Sequence, residues 1–128
     1  MILLDTHAWI WWAARSPKLS AKAAKAIGQA KKLGVAAISC WEVAMLVDRQ
    51  RLELDRPVEE WLAGALSLER VELLPLSWEI ALESTRLGRH FHGDPADRLI
   101  VATALCCRAP LVTRDARIAG YDGVETLW

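Results

Sequence analysis

The chain has 128 residues, which suits one domain whose core buries roughly two-thirds of the surface that the unfolded chain exposes. With 53% hydrophobic and 25% charged residues the composition argues against disorder, and no apolar run reaches the ~20 residues that a membrane-spanning helix needs. The formal net charge is zero, which disfavours nucleic-acid binding through bulk charge while leaving room for local clusters of either sign.

Ile2-Leu3-Leu4 reads as a buried strand, and because Asp5 follows it at once no secretory leader is expected. A short helix runs through Trp9 to Ala14. Ser20 is placed to cap a second helix that continues to Leu33 and stops at Gly34. Val35 to Ile38 reads as a second strand, after which Ser39 caps a third helix carrying Glu42, Val43, Leu46 and Val47. Pro57 opens a fourth helix with the apolar stripe Trp61, Leu62 and Leu66. Val71 to Leu76 is a third strand, and Ser77 starts a helix ending near Gly88. Pro95 opens a helix to about Cys107 that is apolar on nearly every side, so it should be the most buried of the helices. Pro110 to Thr113 and Val124 to Leu127 complete the strands. Apolar strands alternating with helices imply an α/β fold, a parallel sheet covered on both faces.

In such a sheet the carboxyl ends of the strands share one edge, where ligands bind. Asp5 follows the first strand, Glu42 begins the helix after the second, and Asp115 lies just beyond the fourth. Asp97, in the first turn of the apolar helix, reaches the same edge. Each acid alone is also explained as a helix cap: Ser39-x-x-Glu42 matches a capping box, and Asp94-Pro95-Ala96-Asp97 places Asp94 as N-cap with Pro95 at the first helical position. Capping, however, never requires carboxylates to gather. Two charges ~4 Å apart repel by about 4 kcal/mol at an effective dielectric of ~20. Protons or a divalent cation must then neutralise them. A site made only of oxygen donors suits Mg²⁺ or Mn²⁺ and phosphodiester hydrolysis better than zinc chemistry.

Four segments carry a family likeness: Met1-Ile-Leu-Leu-Asp5-Thr6-His7-Ala8-Trp9, Ser39-Cys-Trp-Glu42, His92-Gly-Asp94-Pro-Ala-Asp97-Arg-Leu-Ile-Val-Ala-Thr-Ala104 and Leu111-Val-Thr113-Arg-Asp115. In order and spacing they resemble the successive motifs of PIN-domain nucleases, and most of all the VapC-like toxin branch. The resemblance spans essentially the whole chain. It implies a three-layer α/β/α sandwich, Mg²⁺ or Mn²⁺ as cofactor, endoribonuclease activity as the toxin of a toxin–antitoxin pair, and neutralisation by a cognate antitoxin. Carried over, Asp5, Glu42, Asp97 and Asp115 form the catalytic quartet. Asp5 and Asp97, with Asp94 as an additional acid, hold the metal, and Thr113 matches a supporting hydroxyl. Arg98 and Arg114 flank site acids and are candidates for phosphate contact, as is Arg117.

The remaining residues are assigned blander roles. His7, His90 and His92 lack paired metal spacing and read as exposed or locally bonded. The seven tryptophans read mainly as core or interface, with stacking on unpaired bases as the functional alternative. Cys40, Cys106 and Cys107 have no metal-site spacing and read as reduced thiols of a cytoplasmic protein. The expected partners are RNA, an antitoxin and a second copy of the chain, with no membrane. Two rivals remain. One is a non-catalytic module of the same fold. The other is a phospho-receiver domain, which would want a lysine near the site, whereas none follows Lys32.

Overall fold

The computed structural model describes residues 1–128. Its elements run β1 (Ile2–Leu4), α1 (Thr6–Ala13), α2 (Ala21–Gln29), β2 (Leu33–Ala36), α3 (Ala37–Asp48), α4 (Val58–Leu66), β3 (Val71–Leu74), α5 (Trp78–Ser84), α6 (Pro95–Cys107), β4 (Leu111–Val112), α7 (Ala116–Ala119) and β5 (Thr126–Leu127). The five strands form one sheet in the order β3-β2-β1-β4-β5. Every pairing is parallel: Leu3 lies opposite Gly34 and Leu111, and Leu4 opposite Val35 and Val112. No helix is long and apolar enough to cross a membrane.

Alternation along the strands feeds two separate cores, which makes the fold three-layered. Leu4, Val35 and Val112 face one way, onto Ala8, Trp9, Ile27, Val43 and Trp61 of the first four helices. Leu3, Ala36 and Leu111 face the other way, onto Ile100, Val101, Ala104 and Ile118 of α6 and α7. The Trp61 stripe lies in the first core, with Trp61 packed edge-on against Trp9 at 4.9 Å. Helix α6 buries more residues than any other helix, as expected: Ala96 and Ile100 to Ala104 are all buried.

Several boundaries differ from the sequence expectation, and each has a physical cause. Helix α2 ends at Gln29, not Leu33, because Arg70 donates to the carbonyls of Ile27 (2.9 Å) and Ala30 (2.6 Å), closing the helix from a distant segment. Gly34 is therefore not a helix stop. It lies in the middle of β2, where an added Cβ would come within 2.8 Å of Leu3 Cδ1 and 2.9 Å of Leu74 Cδ1. Strand β2 runs directly into α3 at Ala36, with no side-chain cap, so Ser39 falls inside the helix and the capping box does not form. Helix α5 stops at Ser84, where Ser84 and Thr85 return their hydroxyls to the carbonyls of Ala81 and Leu82.

Strand order reverses between β1 and β4, since the chain moves outward through β2 and β3 before crossing back. A crevice at the carboxyl ends of these two strands is the usual ligand position of an open parallel sheet.

Candidate active site

Asp5 leaves the end of β1 and caps α1, its Oδ1 accepting from the Ala8 N–H at 2.8 Å. Asp115 follows β4 and caps α7, accepting from the Arg117 N–H at 2.8 Å. Asp94 caps α6 through the Asp97 N–H at 3.0 Å. Asp97 sits in the first turn of that helix. Glu42 reaches in from α3. These five acids line one open cleft of about 470 Å³, together with Thr6, His7, Trp11, Arg114 and Arg117.

Hydroxyl groups and one imidazole hold the acids in place. Thr6, only 2% exposed, donates to Glu42, and its oxygen lies 2.9 Å from that of the fully buried Ser39. One hydroxyl proton serves one acceptor, so Ser39 becomes the donor to Thr6 in a relay ending on the carboxylate. Thr113, at the end of β4, accepts from the Asp115 N–H at 3.1 Å, and its hydroxyl favours the charged form of the Asp5 carboxyl. His92 Nε2 stands 2.7 Å from Asp97 Oδ2, and the ring stacks on Phe91. With Asp97 ionised, Nε2 is the donor, which leaves the buried Nδ1 without a partner.

Burial pushes the carboxyl pKa values of Asp5, Glu42 and Asp97 above their ordinary range, making each a weaker acid. Neighbouring carboxylates add to the effect: Asp97 acts on Asp5; Asp97, Asp94 and Asp5 act on Glu42; Asp94 and Asp115 act on Asp97. Opposing this are the bonds from Thr113 and Ala8 to Asp5, from Thr6 to Glu42 and from His92 to Asp97. Asp115 goes the other way. Burial alone would raise it, but hydrogen bonds and charge from Arg117 hold it below the ordinary value. The Arg117 guanidinium lies 3.1 Å from Asp115 and 3.7 Å from Asp97, so a cation already bridges two of the acids.

The site is thus an all-oxygen donor set, short of positive charge on the side of Asp5, Glu42 and Asp94. That chemistry fits a hard divalent ion. No three acidic, histidine or cysteine side chains are drawn tightly enough to hold an ion as they stand, because Asp5, Asp97 and Glu42 are turned onto the partners just described.

Of the flanking arginines, Arg114 is exposed at the wall of the cleft and Arg117 enters it. Arg98 does not reach it. Its guanidinium donates to the carbonyls of Phe91 (2.8 Å), His92 (3.0 Å) and Ser84 (3.2 Å), tying the loop before α6 to that helix. Sequence reasoning gave Thr6 and Ser39 capping roles only, because their site partners lie 33 and 36 residues apart in the chain. His92 is locally bonded, as expected, but its partner is the site acid Asp97.

A family model described as PIN domain matches residues 2–124. The chain is 41% identical over 120 residues to a protein named Ribonuclease VapC22 from Mycobacterium tuberculosis, covering 94% of this chain and 91% of that one. It superposes with a TM-score of 0.70 and 24% identity on a chain from a toxin–antitoxin complex of Klebsiella pneumoniae, over 97% of this chain and 95% of that one. A second superposition gives a TM-score of 0.73 at 17% identity over 98% of this chain and 97% of the other. That structure is VapBC2 from Rickettsia felis bound to a DNA fragment from their promoter. At these identities the superpositions speak for the fold.

Proposed function

The chain belongs to the PIN-domain family, and on that premise we propose that it is a divalent-metal-dependent endoribonuclease, the toxin of a toxin–antitoxin pair. The observation that carries the proposal is the convergence of Asp5, Glu42, Asp94, Asp97 and Asp115 on one cleft at the β1–β4 crevice, in a protein 41% identical to a named ribonuclease. Asp5, Asp97 and Asp94 would hold Mg²⁺ or Mn²⁺. When bound, the ion supplies Lewis acidity to the phosphodiester and makes water a better nucleophile.

The protein's own groups do the rest. Glu42, held through one oxygen by Thr6, has its second oxygen free to take a proton from the attacking water. Its raised pKa makes it a stronger base than an ordinary carboxylate. Arg117 and Arg114 offer donors to phosphate oxygens at the mouth of the cleft. Thr113 holds the start of α7 through the Asp115 N–H and favours the charged form of Asp5.

The toxin assignment is supported by the likeness to Ribonuclease VapC22 and to a chain of the Klebsiella pneumoniae toxin–antitoxin complex. A cognate antitoxin would silence the enzyme by covering the cleft, and a second copy of the chain would complete the assembly. Purified protein is expected to cut RNA in Mg²⁺ or Mn²⁺, to be silenced by EDTA, and to melt at higher temperature with the ion than without it. Equal cutting in EDTA by contaminant-free protein would overturn the metal-dependent reading.

A further inference from the structure

Beside the acid cleft lies a patch of which only Arg114 has a role in the proposed chemistry. His7 and Trp11 stand one turn apart on the same side of α1, their rings 5.6 Å apart and inclined at 48°. Trp128, just after β5, meets Trp11 at 5.8 Å and 59°. Arg114, just after β4, and Lys18, in the loop after α1, hold their charges 5.8 and 6.0 Å from the Trp11 ring. Neither cation belongs to any of the ion pairs in the molecule. His7, Arg114 and Lys18 are exposed, and both tryptophans are partly so. His7, Trp11 and Arg114 are also walls of the acid cleft.

We propose that His7, Trp11 and Trp128 form a stacking platform for one unpaired base of an RNA strand beside the scissile phosphate, with Arg114 and Lys18 taking the adjoining phosphates. The inference rests on the nuclease reading and deepens it, because it specifies the class of RNA. A carboxylate-lined cleft repels every phosphate except the one a metal ion can receive, so neighbouring phosphates need cations close by; Arg114 lines the cleft and Lys18 stands against its Trp11 wall, neither of them in an ion pair. Both stand near the ~6 Å outer limit of cation–π contact on flexible, solvated stems, so they can turn from the ring to a phosphate as a base arrives. A base inside a duplex has both faces covered by its neighbours. Only an unpaired base offers a face to an indole or imidazole, and such stacking is tolerant of base identity. The platform therefore selects single-stranded or loop RNA.

The test compares wild type with Trp11→Leu, Trp11→Phe and His7→Ala on a short unstructured oligoribonucleotide that wild type cuts. A second strand carries an abasic site next to the cut bond. Trp11→Leu is expected to raise KM about tenfold with a smaller change in kcat. Trp11→Phe should recover most of that loss. On the abasic strand, wild type and Trp11→Leu should become alike. Exposed His7→Ala should show a weaker rise in KM, and it keeps the test open if Trp11→Leu melts at working temperature. An unchanged KM in both variants, or the same penalty on the abasic strand, would overturn the platform and leave the nuclease reading intact. Unchanged cutting with weakened capture of the antitoxin would assign the patch to a protein partner instead. A wild type that cuts no RNA removes the nuclease reading and the platform with it.

Discussion

Replacing Asp97 by Asn separates a catalytic carboxylate from a helix-end residue. The side chain is 18% exposed, its Oδ2 is 2.7 Å from His92 Nε2, and the exposed Arg117 lies 3.7 Å away. Asn is nearly isosteric, and its carbonyl oxygen still accepts from His92. The substitution forfeits a negative charge in the first turn of α6, worth ~0.3–1 kcal/mol. Against that, it removes a buried charge that Asp94 and Asp115 oppose and that itself raises Asp5 and Glu42. The two effects have opposite sign, so the variant should stay within about 1 kcal/mol of wild type, a Tm change of no more than ~5 °C for a chain of this size. Cleavage should fall by at least ~10²-fold, the scale on which loss of one transition-state contact is felt. The rise in Tm on adding Mg²⁺ should shrink as well. Melting curves and cleavage rates of both proteins, with and without Mg²⁺, decide the matter. Near-normal cleavage by Asp97→Asn would reduce Asp97 to a helix-end residue and require the site to be redrawn around Asp94.

Thr6→Val keeps the shape of a side chain that is 2% exposed but strands Ser39, which is fully buried, and frees Glu42. A stability loss of ~1–3 kcal/mol is expected together with slower cleavage, while Thr6→Ser retains both properties; thermal melting and kcat report the two effects. The pH dependence of the metal-free protein follows from the raised pKa values of Asp5, Glu42 and Asp97. The folded state binds protons that the unfolded state has released, so these groups cost stability at neutral pH, and the cost disappears as pH falls toward their ordinary values of 3.8 and 4.5. Asp115, with its pKa lowered, opposes this only as pH falls below its own ordinary value of 3.8. Hence any Tm advantage of Asp97→Asn over wild type in EDTA should narrow between pH 7 and about pH 4.5; an advantage that widens there would contradict the sign.

The parts of this protein legible in its sequence are those decided by neighbours along the chain. Apolar runs located the strands, although β2 spans Leu33–Ala36 where Val35 to Ile38 was expected, and Asp94-Pro95 with an apolar helix behind it located α6 to its ends. The order of acids relative to strands placed the candidate site, since a parallel sheet leaves few choices of edge. What stayed hidden depends on partners far away in sequence. Arg70 ends α2 from 40 and 43 residues downstream. Ser39 and Glu42 have capping-box spacing, yet Thr6 engages both from 33 and 36 positions upstream. Arg98 sits beside Asp97 in sequence, but its guanidinium is spent on three loop carbonyls.

Cap and site need not compete, because a carboxylate has two oxygens. Asp5, Asp94 and Asp115 each turn Oδ1 onto a helix N–H, and that bond leaves Oδ2 for the cleft or, in Asp115, for Arg117. Capping thereby aims the starts of α1, α6 and α7 at the cleft, and the amides there provide positive potential where the acids repel one another. A chain that gathers carboxylates in this way can fold before any cation arrives. Glu42 is the exception that supports the point. It lies within α3, away from any helix start, so no free amide is available to it. Its place is taken by the hydroxyl relay from Ser39 through Thr6, built from two buried side chains with no other polar partner among the hydrogen bonds of the molecule.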